Sequence, residues 1–295
     1  MKKLFFVISL LLFSGGVYAQ ESCCTPEGNS DKTSTSTTTN DPIAKFASNV
    51  DSPGFADKHP SPAPFKLTNG RGEMIKITLS DRSTANAYQI KAAHKSNKWL
   101  ILFHEWWGLN DYIKNEAEKY ANAFSSLNVI ALDFYDGQST ANPDTAGMLL
   151  KGVKTERSMK IIEGTKKYLG ANAQVGTLGW CFGGGLSMQA AIIFGKQAKA
   201  CVLYYGMPET DAKKLKNLYA PVLGIFAEKD AWITRDVVSG FDKSFRPLKR
   251  KYELKWFDAD HAFANPSSPN HNNAAALEAE DMTKKFIQTR LMGIK

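Results

Sequence analysis

The sequence predicts an α/β fold in which a mostly parallel, doubly wound sheet carries helices on both faces. Short apolar runs recur along the chain and alternate with longer amphipathic stretches. Most of the short runs are continuously apolar, which is typical of strands buried on both faces. Regular alternation of such strands with helices is typical of a parallel sheet between two helical layers.

The predicted sheet opens with an antiparallel pair. Residues 74–79 alternate apolar and polar side chains, and residues 87–93 form a second strand-like run. The later strands, most of them continuous apolar runs, are predicted at residues 99–104, 129–134, 174–179, 200–205, 222–227 and 252–257.

Helices are predicted between these strands. Asn110 is a suitable N-cap for an amphipathic helix over residues 111–127. The other predicted helices cover residues 145–169, residues 184–194, a stretch after Ile233, and residues 274–292. Because parallel strands end at one edge of the sheet, catalytic residues are expected in the loops at that edge.

The first nineteen residues have the pattern of a secretory signal peptide. Lys2 and Lys3 precede an apolar run over residues 4–13, and Val-Tyr-Ala at residues 17–19 forms a small-residue cleavage site. The apolar run is shorter than the roughly 20 residues that a membrane span needs. We therefore expect an exported protein, periplasmic or secreted, with no stable membrane span.

Residues 20–64 are predicted to be a flexible tether. Residues 31–40 are rich in Ser and Thr, and prolines punctuate the stretch that follows. The folded domain is expected over residues 65–295. Cys23 and Cys24 lie in the tether, and whether they form disulfides is open.

The charge of the chain does not indicate a nucleic-acid partner. Its net charge is +8, and loss of Lys2 and Lys3 leaves +6 (8 minus 2). The lysines are scattered and interleaved with acids, which is typical of a solvated surface. The sequence leaves the oligomeric state open.

Residues 179–183 read Gly-Trp-Cys-Phe-Gly, between a predicted strand and a predicted helix. This is the pattern of a nucleophile elbow, in which a strained turn exposes the central residue and the glycines avoid steric clashes. Cys181 is therefore a candidate nucleophile. Cys201 lies inside an apolar run and is expected to be a buried small hydrophobic residue.

An acid and a histidine follow Cys181 in the order that α/β-hydrolases use. Asp230 comes after the strand at residues 222–227, and His261 after the strand at residues 252–257. His261 would take the proton of Cys181, and Asp230 would orient the imidazole. Asp260 competes for the acid role, but its adjacency to His261 makes that geometry unfavourable.

The other four histidines are less favourable as the base, because they lie in the proline-rich approach, in polar loops or at the end of the third strand. They are His59, His94, His271 and His104. Acyl transfer also needs two N–H groups for the developing oxyanion. The backbone N–H of Phe182 and that of Trp106, in the loop after the third strand, are the candidates.

Six short motifs together resemble the dienelactone hydrolase family. They are His-Glu-Trp-Trp-Gly at residues 104–108, Asp-Phe-Tyr at 133–135, Gly-Trp-Cys-Phe-Gly-Gly at 179–184, Tyr-Tyr-Gly at 204–206, Glu-Lys-Asp at 228–230 and His-Ala-Phe at 261–263. The resemblance covers roughly residues 65–292. It implies an α/β-hydrolase fold with a Cys-Asp-His triad, and it implies that Glu105 contacts the cysteine and helps to activate it.

Two residues depart from the family pattern. Gly137 and Asn265 stand where dienelactone-cleaving members have arginines that hold the substrate carboxylate. We therefore expect the substrate not to be dienelactone itself. An aromatic-rich substrate site is expected instead, formed by Trp107, Tyr135, Trp180 and Trp232.

The first hypothesis is thus an exported cysteine-dependent hydrolase that cleaves a small-molecule ester or lactone through an acyl-thioester. The alternative is a non-catalytic exported binding module that retains the fold. A weaker third hypothesis is a thiol redox protein that uses Cys23 and Cys24, which lack C-x-x-C spacing. No metal-ligand spacing or phosphate-binding motif appears, so no cofactor and no metal are expected.

Overall fold

Eight strands lie in residues 41–294, the part of the chain that this computed structural model describes. They are β1 (Glu73–Thr78), β2 (Thr84–Ile90), β3 (Lys98–Phe103), β4 (Asn128–Leu132), β5 (Gln174–Trp180), β6 (Ala198–Tyr204), β7 (Val222–Ala227) and β8 (Tyr252–Phe257).

All eight strands belong to one sheet in the order β1-β2-β4-β3-β5-β6-β7-β8. The pairs β1–β2 and β2–β4 are antiparallel, and every later pairing from β4 to β8 is parallel. The mostly parallel sheet and its antiparallel opening pair are therefore confirmed. The inner strands β4 and β7 are buried along their whole length, as their continuous apolar sequences predict.

Helices connect the strands and cover the sheet. They are α1 (Pro42–Ser48), α2 (Asp111–Ala123), α3 (Pro143–Gly152), α4 (Thr155–Leu169), α5 (Phe182–Phe194), α6 (Ala212–Leu215), α7 (Arg235–Phe245) and α8 (Asn273–Ile287). Single turns of 3₁₀-helix occur at Asn49–Asp51, Gly195–Gln197 and Arg246–Leu248, and a π-helical turn at Gln288–Met292 follows α8.

The single helix predicted at residues 145–169 is two helices. Asn142 caps α3 through its side chain, and Pro143 takes the first helical position, where its missing N–H costs nothing. Val153 and Lys154 then adopt extended backbone, which ends α3 and starts α4. None of the helices in residues 41–294 has the length and apolarity needed to cross a bilayer.

The predicted tether is too long at its carboxyl end. Asp41 caps α1 through its side chain, and Ile43 and Phe46 of this helix are buried. Phe55 and His59 are buried further along the same segment. Residues 42–59 therefore pack on the domain, because their apolar side chains cover surface that the sheet and α5 leave exposed. The predicted signal peptide, residues 20–40 of the tether, Cys23 and Cys24 lie outside the described residues.

Candidate active site

The turn between β5 and α5 places Cys181 in a strained conformation. Its φ is +55° and its ψ is −123°, a region that side-chain-bearing residues rarely adopt. A Cβ on Gly183 would lie 2.2 Å from the carbonyl oxygen of Phe103, and one on Gly179 would lie 2.0 Å from the carbonyl oxygen of Gly183. Both glycines are thus required by the close approach of backbone on either side of the cysteine.

Asp230 and His261 form a buried hydrogen-bonded pair beside the elbow. His261 Nδ1 lies 2.6 Å from Asp230 Oδ2, and both side chains are inaccessible to solvent. The other carboxylate oxygen, Oδ1, accepts the backbone N–H groups of Trp232 and Ile233, each at 2.9 Å. An ionised Asp230 therefore fixes the proton of His261 on Nδ1 and leaves a lone pair on Nε2.

The lone pair of His261 faces the nucleophile. A ring nitrogen of His261 lies within 4.8 Å of Cys181 Sγ, and its Nε2 has no hydrogen-bond partner in the described part of the chain. Burial raises the pKa of the Cys181 thiol, and the neighbouring His261 offsets that rise only in part. Burial alone lowers the pKa of His261, but the charge and hydrogen bond of Asp230 hold it well above its usual value. The raised pKa of His261 favours transfer of the thiol proton from Cys181 to the imidazole.

The two residues expected to supply oxyanion N–H groups, Phe182 and Trp106, both lie beside Cys181. The N–H of Phe182 begins α5 and lies beside the sulfur of Cys181. Trp106 lines the same narrow cavity as Cys181. The loop that carries Trp106 is held by His104, whose Nδ1 lies 2.5 Å from the carbonyl oxygen of Glu105 and whose Nε2 accepts the N–H of Phe134 at 3.1 Å.

Glu105 lines two neighbouring cavities, one of which is also lined by Cys181. Its carboxylate accepts hydrogen bonds from the Tyr205 hydroxyl at 3.4 Å and from the side-chain amide of Asn265. Burial raises the pKa of Glu105 to about 7, although His261 and these hydrogen bonds oppose the rise. Asn265, which stands where family members have an arginine, is thus engaged with the Glu105 carboxylate.

The narrow cavity at Cys181 has a volume of about 10 Å³, and a larger cavity of about 230 Å³ lies next to it. Glu105, Trp107 and Asn265 line both cavities. Trp180 lines the larger cavity only. Trp107 and Trp180 are thus placed where a substrate group would lie.

Tyr135 and Trp232 lie beside the catalytic residues without lining either cavity. The ring of Tyr135 stacks on Phe182 at 6.2 Å between centroids. Trp232 meets His261 edge to face at 5.5 Å. Both aromatics therefore pack against candidate site residues, and neither of them lines the two cavities described above.

His59 is a site residue that the sequence analysis set aside. Its ring is buried, it lies 5.3 Å from the His261 ring and 4.8 Å from the Trp106 ring, and it lines the narrow cavity with Cys181. Its Nδ1 donates to the Phe55 carbonyl at 2.7 Å, and its Nε2 has no partner in the described residues. The signal for it was the Asp41-Pro42 helix start followed by apolar residues, which indicated a folded segment before residue 65.

Three side chains of the site could together hold a metal ion. The ligand atoms of His59, Cys181 and His261 all lie within 4.8 Å of one another. The described residues contain no other such group of histidine, cysteine or carboxylate side chains.

Known proteins are similar to this chain in sequence. Protein usf of Aquifex pyrophilus is 29% identical over 224 residues, which cover 70% of this chain and 96% of that protein. Carboxymethylenebutenolidase 1 of Cupriavidus pinatubonensis is 23% identical over 227 residues, covering 72% of this chain and 95% of the other.

Solved structures show the same fold. A dienelactone hydrolase-like promiscuous phosphotriesterase from metagenomic libraries superposes with a TM-score of 0.62 at 16% identity, covering 74% of this chain and 98% of that one. The dienelactone hydrolase of Anabaena variabilis gives a TM-score of 0.53 at 15% identity, covering 75% and 98%. The fold is therefore the α/β-hydrolase fold. The profile of the dienelactone hydrolase family matches residues 85–291, so the chain belongs to the dienelactone hydrolase family.

Proposed function

We propose that this protein is an exported, cysteine-dependent hydrolase that cleaves carboxylic esters or lactones through an acyl-thioester. The observation that carries the proposal is the buried His261–Asp230 pair beside the strained Cys181. The export part rests on the sequence of residues 1–19 alone, and a mature amino terminus at Gln20 in the exported fraction would support it.

In the first half-reaction His261 Nε2 takes the thiol proton of Cys181, and the sulfur attacks the substrate carbonyl carbon. The N–H groups of Phe182 and Trp106 stabilise the negative charge that develops on the carbonyl oxygen. The imidazolium then donates its proton to the leaving alkoxide, and the acyl group remains on sulfur. In the second half-reaction His261 activates a water that hydrolyses the thioester and frees the thiol.

The substrate class follows from what lines the site. Gly137 sits at a turn with φ +93° and Asn265 is engaged with Glu105, so neither position supplies a cation for a substrate carboxylate. No arginine lines either cavity within the described residues, and Lys119, which lines the larger cavity, is paired with Glu116 at 2.6 Å. The larger cavity, with Trp107 and Trp180 in its wall, suits an apolar acyl or aryl group.

The test is hydrolysis of nitrophenyl esters of increasing acyl length and of simple lactones by wild type and by Cys181→Ala. We expect Cys181→Ala to lose about 10⁴-fold or more in kcat, as other nucleophile deletions do. Mass spectrometry of wild type mixed with a slow ester should detect the acyl group on the peptide that contains Cys181.

Cys201→Ala is the matched control. Cys201 is buried within β6, and burial raises its thiol pKa to about 12, so it is not nucleophilic at neutral pH. Cys201→Ala should therefore keep its activity. An inert wild type, or a Cys181→Ala variant as active as wild type, would contradict the proposal and favour a binding protein.

A further inference from the structure

Three parts of the chain that are far apart in sequence bring ligand atoms into one buried space. His59 comes from the amino-terminal segment, Cys181 from the elbow, and His261 from the loop after β8. All three side chains are buried, and a ring nitrogen of each histidine and the Sγ of Cys181 lie within 4.8 Å of one another. Only the last two are needed by the proposed hydrolysis, so the presence of the first calls for a separate explanation.

The two imidazoles are held with their lone pairs directed into this space. His59 Nδ1 lies 2.7 Å from the carbonyl oxygen of Phe55. Because a carbonyl can only accept a hydrogen bond, His59 carries its proton on Nδ1 and its Nε2 is unprotonated. His261 is held in the same tautomer by Asp230 at 2.6 Å. In both rings the Nε2 is buried with no hydrogen-bond partner in the described residues, which is costly for a polar atom.

These features match the surroundings of metal-bound histidines. Such histidines almost always donate their other ring N–H to a carboxylate or a backbone carbonyl, as His261 and His59 do here. We propose that His59, Cys181 and His261 form a binding site for Zn²⁺ that blocks the hydrolytic function of the same cysteine and histidine.

The ligand chemistry favours zinc. One thiolate and two imidazoles are a typical zinc donor set, and three protein ligands leave a fourth position for water. With Zn–N near 2.0 Å and Zn–S near 2.3 Å, tetrahedral ligand atoms lie about 3.3 to 3.6 Å apart. The observed separations are all below 4.8 Å, so small side-chain rotations would shorten them to these distances.

The charges also balance. Zinc binds the thiolate, so the proton of Cys181 is released to solvent and no electron is transferred. The resulting thiolate and the Asp230 carboxylate together carry two negative charges, which offset the two positive charges of the ion. An uncompensated buried charge is therefore avoided. Because the ion occupies the lone pairs of Cys181 and His261, the nucleophile and the base are both unavailable while it is bound.

The test uses the full mature protein, freed of metal with a chelator and then titrated with Co²⁺ as a spectroscopic substitute for Zn²⁺. We expect one equivalent of Co²⁺ to give a sulfur-to-cobalt charge-transfer band, and we expect Zn²⁺ to abolish that band by displacement. Cys181→Ala should give no such band. This readout measures metal binding and does not depend on hydrolysis, so its result is independent of whether the proposed function is correct.

His59→Phe tests the chain-specific ligand. It should weaken Co²⁺ and Zn²⁺ binding at least about tenfold, since even changes to partners of metal ligands cost that much. His94→Phe changes an exposed histidine far from these ligands in sequence and should leave the affinity unchanged. If circular dichroism shows that His59→Phe is unfolded, His59→Asn supplies the same comparison.

Inhibition of ester hydrolysis provides the second readout, and this part rests on the proposed function. Zn²⁺ should inhibit wild type reversibly, with an inhibition constant equal to its affinity in the Co²⁺ competition, and chelator should restore the rate. The proposal is overturned if wild type gives no charge-transfer band, or if His59→Phe binds Co²⁺ as tightly as wild type.

Discussion

Asp230 uses each carboxylate oxygen for a different purpose. Oδ1 accepts the N–H groups of Trp232 and Ile233, which fix the carboxylate, and Oδ2 holds His261 Nδ1. Burial alone raises the pKa of Asp230, but the charge and hydrogen bond of His261 hold it below its usual value, so the group is ionised at neutral pH. A fixed anion at this position sets the tautomer of the histidine.

Asp230→Asn should therefore lower kcat for a nitrophenyl ester by about 10⁴-fold while the protein remains folded, because an amide nitrogen facing Nδ1 favours the wrong tautomer. The measurement is kcat and KM for each variant, with thermal unfolding as the check on folding.

Asp260→Asn is the control for that change. Asp260 is adjacent to His261 in sequence, but its carboxylate faces Lys58 at 3.8 Å on the surface and is 40% exposed. Its replacement should change kcat by less than about twofold, since exposed ion pairs contribute little. Equal losses in the two variants would contradict the assignment of Asp230 as the orienting acid.

Phe46 shows what the amino-terminal segment contributes at the level of an element. Its ring is 1% exposed and packs on Phe55, Phe182 and His261, with centroids 6.3 to 6.4 Å apart. Helix α1 is too short to be stable alone, so its packing on α5 holds it in place. The segment that carries His59 therefore depends on this contact.

Phe46→Ala should destabilise the protein by about 3 to 5 kcal/mol, the usual cost of truncating a buried phenylalanine. Phe65→Ala is the matched control, because Phe65 lies close to the same segment but is 43% exposed. It should cost less than about 1 kcal/mol. Urea unfolding of both variants measures the difference, and equal costs would show that residues 42–59 do not pack as described.

The packing of the same segment could not be predicted from the sequence. Strands β7 and β8 both have the predicted bounds. The continuous apolar run of β7 is visible in the sequence without knowledge of its neighbours. The apolar side chains of residues 42–59 are few and surrounded by prolines and charges, and they become meaningful only against α5 and His261. Tertiary packing, which no local pattern contains, therefore decides the placement of His59.

At the scale of the whole molecule, the parallel sheet explains why the grouping of the candidate site residues was predictable. The carboxyl ends of β5, β7 and β8 lie at one edge, so the residues that follow them meet there. Chain order and strand ends were therefore enough to select Cys181, Asp230 and His261 from the sequence. The two cavities were not predictable in this way, because their walls come from loops and from α2 and α8.

The larger cavity leads to a prediction about substrate size. Ala276, on α8, lines this cavity of about 230 Å³, which adjoins the narrow cavity of Cys181 across Glu105 and Trp107. If acyl groups lie there, Ala276→Phe should reduce kcat/KM for long-chain nitrophenyl esters about tenfold or more, the effect of a few methylene groups that no longer fit. The acetate ester, whose acyl group is the shortest, should lose far less.

Ala274→Phe separates this effect from general damage to the helix. Ala274 lies on the same helix two residues before Ala276, but it is exposed and lines neither cavity. It should leave the dependence of kcat/KM on acyl length unchanged, because its side chain points away from the space that the acyl chain would fill. If Ala276→Phe also left that dependence unchanged, the acyl group would have to lie elsewhere, and the narrow cavity at Cys181 would then limit the substrates to small esters and lactones.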